Sequence, residues 1–285
     1  MESKKKLALG PLIVVPAGLY LFVFMIVPLT ILVVFSFGSR DALGKVVLGF
    51  SFQNYVRFFC GPYLLSLARS LGLATSTTLI CLIVGFLTSL WLAFSVGKTK
   101  QNLFMTLIVA PLWTSFLLRM YAWITILRPT GILNSALASI GIHNVPSIAY
   151  TPYAVLLGMV YNYLPYMILP LYAALEKLDV RLLEAASDLG ATPWISFLKV
   201  TVPLSLRGIV AGIIMVFVPA LGDYVTPDLL GGAKTMFIGN LIQNQFLVVR
   251  DWAFGSAVST VLIIIVSFAV WIYLKYGDNP EFKTT

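Results

Sequence analysis

Charge is what this chain has least of. Only 11% of its 285 residues are Asp, Glu, Lys or Arg, whereas 59% are hydrophobic and the mean hydropathy is +0.95. A water-soluble fold of this size could not cover so much apolar surface with so few charges. Cysteine is nearly missing as well. Cys60 lies between apolar runs and Cys81 well inside one, depths too different for the close Cβ approach of a disulfide, so they read as a loop thiol and a packed thiol. The single histidine, His143, falls in a loop, where a solvated role is expected rather than metal ligation. No nucleophile–base pair and no metal-ligand cluster is spaced along the chain. There is no phosphate-binding Gly-x-x-x-x-Gly-Lys-Ser/Thr loop either, since the stretch Gly231–Thr235 (GGAKT) lacks the glycine before its lysine. These absences exclude an enzyme of ordinary kinds and a nucleotide hydrolase. The net charge of +8 is scattered between apolar runs rather than gathered on one face, which excludes a nucleic-acid partner.

What the chain has in abundance is long apolar runs. They cover Pro11–Phe35, Ala68–Val96, Leu103–Leu127, Tyr150–Leu175, Leu204–Leu221 and Phe254–Tyr276. A bilayer core takes about 20 apolar residues per helical crossing, and lipid offers no partner to open backbone groups, so each run is expected to be a helix. The chain is thus read as an all-α membrane protein with six transmembrane helices in a single domain, its solvent the lipid bilayer. The start, MESKKK and then an apolar run, imitates a secretory leader. That run continues to about Phe37, far beyond the ~7–15 residues of a cleavable core, and reads as a retained first crossing.

An even number of crossings puts both termini on one side. Eleven of the nineteen Lys and Arg lie on that side, including Lys4, Lys5 and Lys6, against seven opposite, with Arg119 inside a crossing. Positive residues favour the cytoplasm, so both termini are expected inside. Outside, Phe50–Phe59 (FSFQNYVRFF) reads as a short interfacial helix capped by Ser51. The stretch Ala233–Trp252 is too polar to span and reads as a lateral or re-entrant helix.

One polar interruption stands out on the inner side: EAASDLGATPWISFLKVTVP, Glu184–Pro203. Asp179 can cap a helix starting near Val180, with Leu182, Leu183, Ala186 and Leu189 on one face. Gly190 stands where a left-handed terminator is wanted. Thr192 and Pro193 form an N-cap and first-turn pair. A second helix then presents Trp194, Ile195, Phe197 and Leu198, and Pro203 ends it and begins the next crossing. The result is a helix–turn–helix elbow from Asp179 to Pro203. Two readings fit its charged and apolar faces: an interfacial elbow packed on its own bundle, or a docking surface for a protein partner.

The stretch resembles the signature of the permease subunits of ABC importers: Glu-Ala-Ala, three residues, Gly, nine residues, then Ile-x-Leu-Pro. Here the positions are Glu184-Ala185-Ala186, Gly190 and Val200-Thr201-Val202-Pro203, with two valines as mild departures. The resemblance extends over nearly the whole chain. Trp113–Leu127, Gly158–Asp179, Val218–Ile242 and Arg250–Ala257 are similar to the permeases of spermidine/putrescine importers. It implies a type I ABC importer fold in the bacterial cytoplasmic (inner) membrane, with the elbow as a cytoplasmic coupling helix. It implies that Glu184, Ala185, Ala186, Gly190 and Pro203 shape a contact with a cytoplasmic ATPase. The implied partners are a second, homologous permease subunit, two ATPase subunits, and an extracytoplasmic solute-binding protein docking near Phe50–Phe59 and Ala233–Trp252. No cofactor would be bound by this chain; ATP and Mg would sit on the partner ATPase. The implied cargo is a linear polycation.

A polyamine needs anions for its ammonium groups and aromatic faces for the rest. Asp223 and Tyr224, after the kink expected at Pro219, are candidates, with Asp228 in the outer loop beyond them. Tyr161, Tyr163 and Tyr166 along the fourth crossing, and Tyr121 and Trp123 near the outer end of the third, are candidates for pathway lining or for interfacial belt and bundle packing. Arg119, about 24 Å along a straight third crossing at 1.5 Å per residue, falls near the inferred depth of Asp223. It is read either as that residue's partner at an outer gate or as snorkelling to headgroups. Gly208 and Gly212 form a Gly-x-x-x-Gly pair suited to close helix packing. The alternatives to a polyamine importer are an ABC importer of another small solute and a gradient-driven secondary transporter. The second rival lacks acids deep in the crossings and leaves the elbow unexplained.

Overall fold

With nothing in lipid to bond to, backbone amides close on each other, and helices dominate the chain. A computed structural model describes residues 3–41, 44–141 and 148–277; His143 lies outside the described residues. The helices are α1 (Ser3–Ser36), α2 (Gln53–Cys60), α3 (Tyr63–Leu90), α4 (Lys98–Val109), α5 (Phe116–Leu127), α6 (Ile132–Ser139), α7 (Pro152–Leu175), α8 (Val180–Asp188), α9 (Pro193–Ser196), α10 (Val202–Leu204), α11 (Leu206–Gly222), α12 (Val225–Gly231), α13 (Ile238–Asn244) and α14 (Trp252–Gly277). Ser39–Arg40 and Val46–Val47 pair as a two-residue antiparallel ribbon, a small exception to an otherwise helical chain.

Among the described residues four helices are long and apolar enough to span, over Gly18–Ser36, Tyr63–Ser95, Pro152–Leu175 and Trp252–Trp271; with two bent pairs each counted as one span there are six. The expected third crossing is therefore not one straight helix. Lys98–Trp113 and Phe116–Ser139 meet at 93°, where a tighter turn over Ala110–Trp113, with Pro111 in it, gives way to extended backbone at Thr114 and Ser115. A second bend, of 67°, stands at the entry to the fifth crossing, where the elbow's second helix, Pro193–Leu204, meets Leu206–Gly222. Pro203 does not end the elbow's second helix, as the sequence suggested. The helix widens to a π turn over Phe197–Thr201, which closes with the Val202 N–H on the Phe197 carbonyl, and it runs on to Leu204. Widened turns re-satisfy backbone groups near a proline that cannot donate.

The chain divides into two compact units, Met1–Leu64 with Leu241–Ile265, and Leu65–Asn240 with Val266–Thr285. In the first unit, α2 is tied to the end of α1. The Asn54 amide donates to the Ser36 and Gly38 carbonyls at 3.0 and 2.8 Å, satisfying acceptors that a helix end leaves open. The Tyr55 and Ser36 hydroxyls are 2.7 Å apart. Ser51 is not the capping position itself, because α2 begins at Gln53; its Oγ accepts from the Gln53 N–H at 3.2 Å. Phe37 stacks on Phe50 at 4.9 Å and meets Phe52 edge-on at 5.4 Å. Arg57 donates to Asp251 at 2.8 Å and lies 4.0 Å from the centre of the buried Phe254 ring. Burial works against the guanidinium's charge, but Asp251 and Tyr63 outweigh it and hold its pKa above the ordinary value. Asp251 also caps α14, accepting from the Phe254 N–H at 3.1 Å.

In the second unit the core forms around Cys81, Phe86, Met167, Leu171 and Val216. The Gly-x-x-x-Gly pair accounts for the close packing of α11 on α7. A Cβ at Gly208 would stand 2.6 Å from the Ala174 Cβ and 2.7 Å from the Pro170 carbonyl oxygen; one at Gly212 would stand 2.6 Å from the Met167 sulfur. Cys81 is buried, Cys60 exposed, and both are free thiols.

Candidate functional site

The elbow is built as its residues demand. Asp179 accepts from the Arg181 N–H at 3.0 Å and starts α8. Gly190, at φ +82°, ends it: the Gly190 N–H bonds the Ser187 carbonyl at 2.8 Å, and the Ala191 N–H reaches back to the Ala186 carbonyl at 3.0 Å, the pattern of a left-handed helix terminator. Thr192 accepts from the Ile195 N–H at 3.4 Å and opens α9. Leu183 and Ala186 are half-buried, but Leu182, Ile195 and Leu198 are exposed, Trp194 is 66% exposed and Leu189 is 89% exposed. So many large exposed apolar side chains on two short helices exceed the scattered single exposures normal at a protein surface. Glu184 and Ala185 are exposed on the same elbow.

Asp223 sits where α11 gives way to α12, and its carboxylate is occupied. Oδ1 accepts from the Val225 and Thr226 N–H groups at 3.0 and 3.1 Å; Oδ2 accepts from the Thr226 hydroxyl at 2.6 Å and from the Tyr163 hydroxyl at 3.3 Å. Tyr163 thus joins Asp223, while Trp123 and Tyr161 form a separate edge-to-face pair at 5.3 Å. Tyr224 is 41% exposed, and its carbonyl accepts from the Asn240 amide at 2.9 Å. That amide also donates to Asp228 at 2.6 Å, and burial pushes the Asp228 carboxyl above its usual pKa.

Arg119 does not join this cluster. Its Nε and Nη1 are buried without a hydrogen-bond partner, and its guanidinium lies 5.9 Å from the Phe116 ring centre. Two physical facts undo the suggested Arg119–Asp223 pair. The 93° bend invalidates a height counted along a straight helix, and the α12 N–H groups on Oδ1 with the Thr226 and Tyr163 hydroxyls on Oδ2 already engage the Asp223 carboxylate. Sequence reasoning also passed over three buried polar residues. Asn162 contacts the Met120 sulfur at 3.8 Å, and Asn240 bridges Tyr224 and Asp228. Gln101 donates to the Leu92 and Val96 carbonyls at 3.0 and 2.9 Å, closing the widened turn at Trp91–Ser95. For Asn162 an asparagine inside an apolar run was the available signal; Gln101 and Asn240 stand outside the apolar runs and carried none, and the partners of all three were not legible.

Comparison with known proteins bears on what this arrangement serves. Residues 85–276 match the family described as "Binding-protein-dependent transport system inner membrane component". The chain belongs to this family. This transport component is 39% identical over 276 residues to the spermidine/putrescine transport system permease protein PotB of Salmonella typhimurium (strain SL1344), covering 96% of this chain and 95% of that one. It is 40% identical over 265 residues to PotB of Escherichia coli (strain K12), covering 93% and 95%. Among solved structures it is similar in fold, at 18% identity, to a bacterial ABC transporter that imports the acidic polysaccharide alginate, with TM-score 0.77 over 96% of this chain and 98% of that one. A second structure of an alginate ABC transporter, in complex with its pentasaccharide-bound periplasmic protein, gives TM-score 0.74 at 18% identity over 98% of both chains. The component is therefore an all-α permease of the ABC-importer fold. The family match spans the elbow, the α11–α12 junction and most of α14.

Proposed function

We propose that this permease carries linear polyamines, spermidine or putrescine, into the cytoplasm as one of two membrane-spanning subunits of an ATP-driven importer. The observation that carries the reading is the near-40% identity, along almost the whole chain, to permeases of spermidine/putrescine systems. Both termini and the elbow lie in the cytoplasm. The exposed apolar residues of α8 and α9 seat on a separate ATPase subunit, which holds ATP and Mg and hydrolyses the nucleotide; Gly190 sets the angle between the two short helices. A solute-binding protein delivers cargo on the opposite side. Closure of the ATPase pair moves the elbow as a rigid lever and alternates access to a pathway shared with the second permease.

Within this chain Asp223, Tyr163, Tyr161, Trp123 and Tyr224 are the proposed pathway side chains, with carboxylate and ring faces suited to ammonium and methylene groups. The test is reconstitution of the importer in proteoliposomes with its binding protein, measuring ATPase stimulation by spermidine, putrescine and unrelated solutes. Stimulation by a polyamine is expected. Stimulation by another solute alone would sink the cargo and leave the importer. Uptake by this chain without the ATPase would sink the importer itself. A Leu189→Asp substitution is expected to abolish stimulation while leaving the permease folded, because Leu189 is 89% exposed.

A further inference from the structure

We infer that the elbow end of the permease carries a binding site for an anionic phospholipid. A cavity of about 630 Å³ opens between the end of α7 and the start of α11, within the ordinary size range of ligand sites. It is lined by Pro170, Ala173, Gly208 and Ala211, together with the cations Lys177 and Arg207. The rest of the lining is mostly apolar, with Leu178, Leu182 and Leu204 beside the small residues. The two cations stand where the chain leaves the apolar run, and neither makes an ion pair among the described residues.

Arg207 is the informative one. It occupies the first turn of α11, a helix of 17 residues whose N-terminus has no side-chain cap. A cation there sits against the positive end of the helix dipole. An anion relieves both faults, since it pairs with Arg207 and accepts from open N–H groups at the helix start. One acid, Asp179, also lines the cavity and caps α8 through its Oδ1, which accepts from the Arg181 N–H at 3.0 Å; two cations against this one carboxylate leave the lining net positive. An anionic headgroup over an apolar trough matches a phospholipid: phosphate at Lys177 and Arg207, acyl chain along Ala173 and Ala211. Basic pockets between membrane helices on the cytoplasmic side take headgroups in this way. The site is distinct from the α11–α12 junction; it meets the elbow at Leu182, and Trp194, Ile195 and Leu189 are not among its lining residues. It rests on the reading of the elbow face as cytoplasmic, where anionic lipid is presented to it, but not on which solute is carried.

The test uses the assembled importer, stripped of lipid in detergent and titrated with phosphatidylglycerol, phosphatidylcholine or glycerol phosphate. Retention is read by native mass spectrometry. Each basic residue is expected to contribute about fivefold to phosphatidylglycerol affinity, so the double variant Lys177→Gln/Arg207→Gln should bind it roughly 30-fold more weakly, with phosphatidylcholine unaffected. Glycerol phosphate binding as strongly as the lipid would overturn the proposal in favour of a soluble anion, and equal retention of lipid by variant and wild type would overturn it outright. A photo-crosslinking residue at Ala173 gives a second reading that does not depend on the charge variants. A lipid adduct is expected, and an adduct to a protein subunit would show instead that a partner chain covers the trough. Polyamine transport is not the readout, so loss of the cargo assignment would leave this result standing.

Discussion

Asp223 is asked to do two things, and substitutions can separate them. Its carboxylate takes four donors at the junction of α11 and α12, two backbone N–H groups, the fully buried Thr226 hydroxyl and the Tyr163 hydroxyl. Asp223→Ala removes a helix-start cap, at about 0.5–2 kcal/mol, and strands the Thr226 hydroxyl, at about 1–3 kcal/mol. The sum is roughly 3 kcal/mol, or on the order of 100-fold in the folded-to-unfolded ratio. Asp223→Asn keeps a carbonyl oxygen for the two N–H groups and adds an amide N–H that can donate to the Thr226 hydroxyl oxygen. It should lose only about 1 kcal/mol but all of the charge. Thermal unfolding of the purified permease, with spermidine uptake by the reconstituted importer, reads both effects. The alanine variant is expected to melt early. The asparagine variant should melt near wild type yet need on the order of tenfold more spermidine for half-maximal uptake, the worth of one charge-assisted contact. An alanine variant as stable as wild type would refute the capping argument. Wild-type half-saturation in the asparagine variant would reduce Asp223 to a structural cap.

Three further outcomes are expected. Gly208→Ala should destabilise the permease by about 1–3 kcal/mol, because the new Cβ meets a backbone carbonyl that cannot yield; Gly72→Ala, with nothing within 4 Å, should be neutral or mildly stabilising by the same thermal assay. Gly190→Ala places a side chain at φ +82°, at a cost of about 1 kcal/mol, and is expected to lower ATPase coupling more than melting temperature, since the angle of the elbow changes. Asp228 has a raised carboxyl pKa from burial, so the native state binds its proton more readily than the unfolded chain does. Its contribution to stability is therefore fully present below the unfolded carboxylate pKa and is lost as pH rises through the folded one. Asp228→Asn should flatten that part of the pH–stability profile, measured by unfolding between acid and neutral pH.

Composition and periodicity alone determined that this is a helical membrane chain, since 59% apolar residues with 11% charged ones leave lipid as the only fitting solvent. The elbow was legible for a local reason. Asp179, Gly190, Thr192 and Pro193 act through neighbours within a few residues, and each does in the structure what its chemistry prescribes. That Gly208 and Gly212 suit close helix packing was legible for the same reason, a fixed spacing on one helix face, but that the partner is α7 was not. What the sequence could not determine is where a long apolar run breaks. Pro111 and Pro203 mark both bent spans, but Pro165, Pro170 and Pro219 lie within helices that carry on, so proline by itself does not distinguish them. Only tertiary structure decided that Asp223 turns to cap α12 and binds Tyr163, and that Arg119 stays apart from it. A count of residues gives distance along a straight axis, whereas the 93° bend redirects everything beyond it, and partners from distant helices meet only after that bend is set.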